Sequence, residues 1–200
     1  MTALCAAHGL PSTAVATPDV EELLRALKSP GAAAAFVHGD LTPNNAMIVG
    51  DTTCRLIDFE GAAIQHIGND LCMLRFPFAW YGRWATIPPS VQRSMEHAHR
   101  GASARSDAEI DAAIAIGCAA MAILRLQRLD RIADDEQPPA MKVRRRAQIV
   151  DTVDVAVAAL TAVDALPDLA RWLRSMGVAM QAAWVEASAP LWPYPAFAIP

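Results

Sequence analysis

The stretch "FVHGDLTPNN", residues 36–45, sets a His, an Asp and two Asn directly behind an apolar pair. Buried strands end in turns, and turns favour Gly, Pro, Asn and Asp, so composition alone fits an ordinary strand exit. A second stretch, "RLIDFEGA" at 55–62, decides between that reading and a chemical one. Between them, "AMIV" (46–49) and "CRLID" (54–58) are short strand candidates joined by "GDTT", a good hairpin signal. A hairpin folds the chain back, so Asn45 at the close of the first loop and Asp58 at the end of the second strand can reach one point. An amide oxygen and a carboxylate suit Mg²⁺, which takes hard oxygen ligands and usually only one or two carboxylates from a protein. Asp40, five residues before Asn45, then projects beside the metal, where it can accept a proton from an attacking hydroxyl.

This order of residues resembles the catalytic and metal loops of the kinase-like fold, most closely the aminoglycoside phosphotransferase and choline kinase-like family. His38-x-Asp40-x-x-x-x-Asn45 is similar to its H-x-D-x-x-x-x-N element, with the Gly39 typical of small-molecule kinases. Asp58, in "IDFEGA", stands where that family has its second metal ligand, thirteen residues after Asn45. "GNDL" at 68–71 resembles a third element, whose Asp (Asp70 here) braces the catalytic loop through backbone N–H groups. The resemblance implies that Asp40 is the catalytic base and that Asn45 and Asp58 bind Mg²⁺. It further implies that His38 and Asp70 support the site and that ATP or GTP is the phosphoryl donor. It covers the chain from about residue 18 onward, and three elements in the right order and at the right intervals carry it.

Working outward, the chain is 54% hydrophobic and 19% charged, enough to bury a substantial core. A net charge of −4 without a basic stripe argues against nucleic acid as a partner. The four Cys (Cys5, Cys54, Cys72, Cys118) lack a CxxC pair and read as reduced, buried and inert, as in a cytoplasmic protein. The N-terminus is a poor signal peptide, and the most apolar run, 112–124, is too short to span a bilayer, so no membrane partner is expected.

Residues 1–17 form an irregular segment in this reading. Thr17 is the expected N-cap of a helix with Pro18 in its first turn, stopped by "SPG" at 29–31. Beyond Asp70 five helices are expected, at about 70–82, 89–100, 107–131, 139–165 and 167–187. The third, apolar nearly all round, belongs in the middle of a bundle. The Pro-rich tail 188–200 should lie across the bundle, pinned by Trp192, Tyr194 and Phe197. Trp80, Trp84, Trp172 and Trp184 read as core, while "DRIADDEQ" (130–137) and "KVRRR" (142–146) read as solvated surface.

The fold expected is mainly α with a small β-hairpin: the C-terminal, helical lobe of the protein-kinase-like α+β fold. It spans 18–187, with the loops at 36–62 and the helical bundle at 70–187. The upper lobe of such a kinase carries a Gly-rich loop and a Lys that pairs with the nucleotide phosphates. The two Lys here, Lys28 and Lys142, lie in helices, and no Gly-rich loop precedes residue 36, so the N-lobe is read as absent. The face that would meet it should be apolar and uncovered, favouring a homodimer or docking of a separate N-lobe polypeptide. By the resemblance, the function is transfer of the γ-phosphate of a nucleoside triphosphate to a hydroxyl of a small molecule, incomplete in a chain without that lobe. The alternative is a catalytically inactive, pseudokinase-like lobe that acts as a binding module or as one part of a split enzyme.

Overall fold

The computed structural model describes residues 2–50, 53–80, 83–130, 139–184, 187 and 191–194. They are mainly helical, with three small sheets. A short helix α1 (Thr2–Ala7) and a 3₁₀ turn lead into α2 (Thr17–Lys28). Strand β1 (Ala34–Val37) ends at the first loop, and β2 (Ala46–Val49) and β3 (Thr53–Leu56) form the hairpin. Strand β4 (Ala63–His66) then returns antiparallel to β1, with Val37 opposite Ala63 and Ala34 opposite His66. A single helical turn α3 (Gly68–Leu71) follows, and then a second hairpin, β5 (Phe78–Trp80) and β6 (Arg83–Thr86). The remainder is α4 (Pro89–Ala102), α5 (Asp107–Leu126), α6 (Pro139–Ala162), α7 (Pro167–Ala183) and a short β7 (Trp192–Pro193).

Helix α5 is the axis of the core. It starts at a capping box in which the Ser106 hydroxyl accepts from the Glu109 backbone N–H and the Glu109 carboxylate accepts from the Ser106 N–H. Ile110, Ile114, Cys118, Ala122 and Leu126 are buried along it, packed against α6, which in turn packs on α7. Its Ala and Gly surface lets α3 approach to backbone contact: a Cβ on Gly117 would overlap the Gly68 carbonyl oxygen. Helix α7 enters through Leu166 in the left-handed region, which offers no capping side chain. The cap comes from α2 instead, where Asp19 Oδ2 accepts from Asp168 N at 2.8 Å and Leu169 N at 2.9 Å. No helix among the described residues is long and apolar enough to cross a membrane.

Several expectations change. The helix expected at 70–82 is one turn and a hairpin, because Pro77 cannot continue a helix and the aromatic residues after it favour strand. Trp80 and Trp84 therefore sit on strands; Trp84 is half-buried, whereas Trp172 and Trp184 lie in the core. Thr17 is the first residue of α2, and Ala16 precedes it as the cap. Residues 2–7 are helical where no pattern was legible, and α5 stops at Leu126, not near 131. Cys54 is exposed, unlike the other three Cys. Burial pushes the Cys118 thiol up to about 12 and raises that of Cys72 well above its ordinary value, so both stay protonated. Arg146 is buried with its guanidinium 5.1 Å from the Trp184 ring centroid, so "KVRRR" is not wholly a wet face. In the tail, Trp192–Pro193 pair with β6 and Tyr194 packs on Phe78, which ties this part to the β5–β6 sheet. Phe197 and residues 131–137 of the acidic patch lie outside the described residues.

Candidate active site

Two antiparallel ladders converge on one place. Val37 faces Ala63 at one end of β1–β4, so the loop leaving β1 and the loop entering β4 emerge side by side. Ala46 faces Leu56 in β2–β3, which sets Asn45 against Ile57, and Ile57 N donates to Asn45 O at 3.0 Å. Asp58 follows immediately. The sequence places polar residues at strand exits, and the registers bring those exits together.

Within the first loop, Asn45 is buried and its amide Nδ2 donates to both the Asp40 carbonyl and Asp40 Oδ2, each at 2.9 Å. This holds the Asp40 carboxylate in one orientation and leaves Asn45 Oδ1 as an uncommitted hard oxygen. Asp58 is exposed and lies in the left-handed region at φ 65°, which non-Gly residues seldom adopt. Strained backbone of this kind concentrates at functional sites. A 3₁₀ turn, Phe59–Gly61, follows it.

His38 joins the two loops. Its Nε2 donates to Ile57 O at 2.8 Å, and its Nδ1 accepts from Asp40 N at 3.3 Å. A ring that donates through one nitrogen and accepts through the other is neutral and in a single tautomer. The Phe59 ring packs against it at 4.6 Å between centroids. Asp70 accepts from His38 N at 2.6 Å and from Gly39 N at 2.9 Å, tying the loop to α3. Gly39, at φ 83°, approaches Gly61 so closely that a Cβ there would stand 2.5 Å from the Gly61 carbonyl oxygen.

The structure thus puts Asp40 and Asn45 in direct contact, sets Asp58 one residue from the Asn45–Ile57 bond, and fastens His38 and Asp70 beneath them. Sequence reasoning did not single out Gly61 or the Phe59 ring, because both act through contacts across space. Among the described residues no group of three or more His, Cys, Asp or Glu is placed to hold a metal ion. The donor set that remains, one amide oxygen and one exposed carboxylate, is the sparse oxygen set that Mg²⁺ accepts when substrate and water complete its shell.

No curated protein matches the chain. Residues 3–92, which contain both loops and α3, match the phosphotransferase enzyme family. That match agrees with the aminoglycoside phosphotransferase and choline kinase-like resemblance of the motifs, so this stretch carries the signature of the phosphotransferase enzyme family.

Proposed function

We propose that the chain is the catalytic lobe of a small-molecule kinase, which transfers the γ-phosphate of ATP or GTP to an alcohol. The observation that carries this reading is the Asn45 amide: it orients the Asp40 carboxylate while its backbone anchors the strand that presents Asp58. Asp40 removes the proton of the acceptor hydroxyl as its oxygen bonds to the γ-phosphorus and the bond to the leaving nucleoside diphosphate breaks. Asn45 Oδ1 and the Asp58 carboxylate would hold Mg²⁺, whose charge offsets that of the phosphates when it is bound. His38 and Asp70 act by holding the loop, since both ring nitrogens and both carboxylate oxygens are already engaged.

Calorimetry with MgATP and MgGTP tests the ligand assignment. Asp58→Ala should weaken nucleotide binding at least tenfold. Asp40→Asn should leave binding in place and reduce transfer by about 10²–10⁴-fold. Equal affinity in Asp58→Ala and the parent would remove the metal assignment.

A second reading is supported by the apolar face beside the site. Phe36 (65% exposed), Ile48 (69%) and Ile64 (70%) stand out from the two small sheets, with Met47, Val49 and Leu56 also exposed. Two-stranded sheets of this size are marginal without a covering layer. In the kinase reading the cover is a nucleotide-binding lobe, supplied in the same or a separate polypeptide; in the other, the lobe is a docking module without catalysis. Transfer activity that depends on Asp40 separates the two.

A further inference from the structure

A cleft of about 230 Å³ opens beside the catalytic loop, between Gly39 and Gly61 on one side and α5 on the other. Its polar lining is the side-chain pair Gln65 and Asn69; its apolar lining includes Ala120, Met121 and Leu124, the last half exposed at 50%. Asn69 Nδ2 donates to Gln65 Oε1 at 2.7 Å. That bond fixes each amide against the other and leaves Asn69 Oδ1 free to accept and Gln65 Nε2 free to donate. Among the described residues the lining contains no Asp, Glu, Lys, Arg or His. Gly39, at its edge, is one peptide unit from Asp40.

We infer that this cleft seats the phosphoryl acceptor and selects an uncharged polyhydroxyl molecule about the size of one sugar ring, an inference that rests on the kinase reading above. An acceptor–donor pair of neutral amides matches a hydroxyl, which both gives and takes a hydrogen bond. The Ala120–Met121–Leu124 wall matches the C–H face of a ring. An ammonium group entering the cleft would lose water and find no opposite charge on its walls. Two carboxylates of the adjoining loop are already engaged: Asp70 by two backbone N–H groups and Asp40 by the Asn45 amide, while Glu60, next to Gly61, is exposed outside the lining. The chain's own residues therefore favour neutral acceptors over amine-bearing ones.

The test needs no nucleotide. The full chain is titrated with a panel of neutral polyols (glucose, galactose, ribose and inositol) and with glucosamine at about pH 6, where its amine is charged. Binding is followed by saturation-transfer NMR and calorimetry. At least one neutral member should bind more tightly than glucosamine. Gln65→Leu and Asn69→Leu should each weaken it about tenfold, the scale of one neutral hydrogen bond. Ala120→Phe, which fills the cleft from its apolar wall, should abolish binding, with thermal melting used to confirm that each variant is folded. The inference is overturned if glucosamine binds as well as the best neutral polyol, if no polyol binds, or if folded variants bind unchanged. MgATP binding on the same samples keeps the two claims apart. Polyol binding without nucleotide binding removes the kinase reading and the acceptor role with it, leaving a polyol-binding cleft, and nucleotide binding without polyol binding sinks the acceptor site alone.

Discussion

Individual residues at the two loops are held by contacts that a sequence only half announces. Asp40, Asn45 and Asp58 stand out in the sequence because their types and intervals are those phosphate chemistry would need, and the structure brings the first two into contact. The left-handed backbone at Asp58 and the contact between Gly39 and Gly61 were not, since neither leaves a mark in the order of letters. Gly39 gives a sharp test of that contact. Its φ of 83° already disfavours a side chain by about 1–2 kcal/mol, and a Cβ would also press on the Gly61 backbone, which has no flexible end to move aside. Gly50 shares the positive φ, at 67°, but has nothing within 4 Å of a would-be Cβ. Gly39→Ala should therefore cost about 2–4 kcal/mol in chemical denaturation and Gly50→Ala only about 1 kcal/mol. Equal losses would mean that the close approach of the two loops contributes nothing.

At the scale of elements, periodicity identified the long helices and the β2–β3 hairpin, because each has a regular apolar pattern of its own. It failed at 70–82, where Pro77 and the aromatic residues after it outweigh a short apolar run. It also missed the Asp19 cap, since a carboxylate in the first turn of α2 reads as that helix's own dipole partner until α7 is seen to abut it. The packing of α3 on α5 is a third silent feature and carries a prediction. Replacing an exposed helical Gly by Ala gains up to about 1 kcal/mol from backbone entropy. At Gly68 and Gly117 the added methyl would overlap a facing backbone carbonyl, an overpacking cost of about 1–3 kcal/mol or more that exceeds the gain. Gly68→Ala and Gly117→Ala should lower Tm by several degrees, whereas Gly101→Ala, in α4 with open space around it, should hold or raise it. Because α3 carries Asp70, the two destabilised variants should also loosen the loop that follows β1, read as faster amide exchange at His38 and Gly39.

For the molecule as a whole, stability should depend on pH in part through Asp151, a half-buried acid in the bundle whose shift is larger than that of its raised neighbour Asp154. Burial, followed by the nearby Asp154, raises the Asp151 carboxyl to about 6, only partly offset by Arg125. In an unfolded chain the same group titrates near 4. Between about pH 4 and 6 the folded chain therefore binds more protons than the unfolded one, so this group's contribution to stability falls as pH rises and is lowest above 6. Two pH units correspond to at most about 3 kcal/mol, less where solvent reaches the carboxylate. Asp151→Asn keeps the shape and removes the charge. It should stabilise the protein at pH 7 by about 1–2 kcal/mol, or roughly 2–8 °C in Tm, and give no gain at pH 4. Arg125 is not orphaned by the change, since its guanidinium donates to Thr152 Oγ1 at 2.8 Å and to Pro77 O at 2.9 Å. Burial lowers Arg125 to about 10, so it remains charged throughout this range and adds no slope of its own. Urea denaturation at pH 4, 5, 6 and 7 reads the effect directly: the curves of parent and variant should separate as pH rises and run parallel above 6. Curves parallel over the whole range would show that Asp151 titrates as an ordinary surface acid and that the bundle holds its charge at no cost.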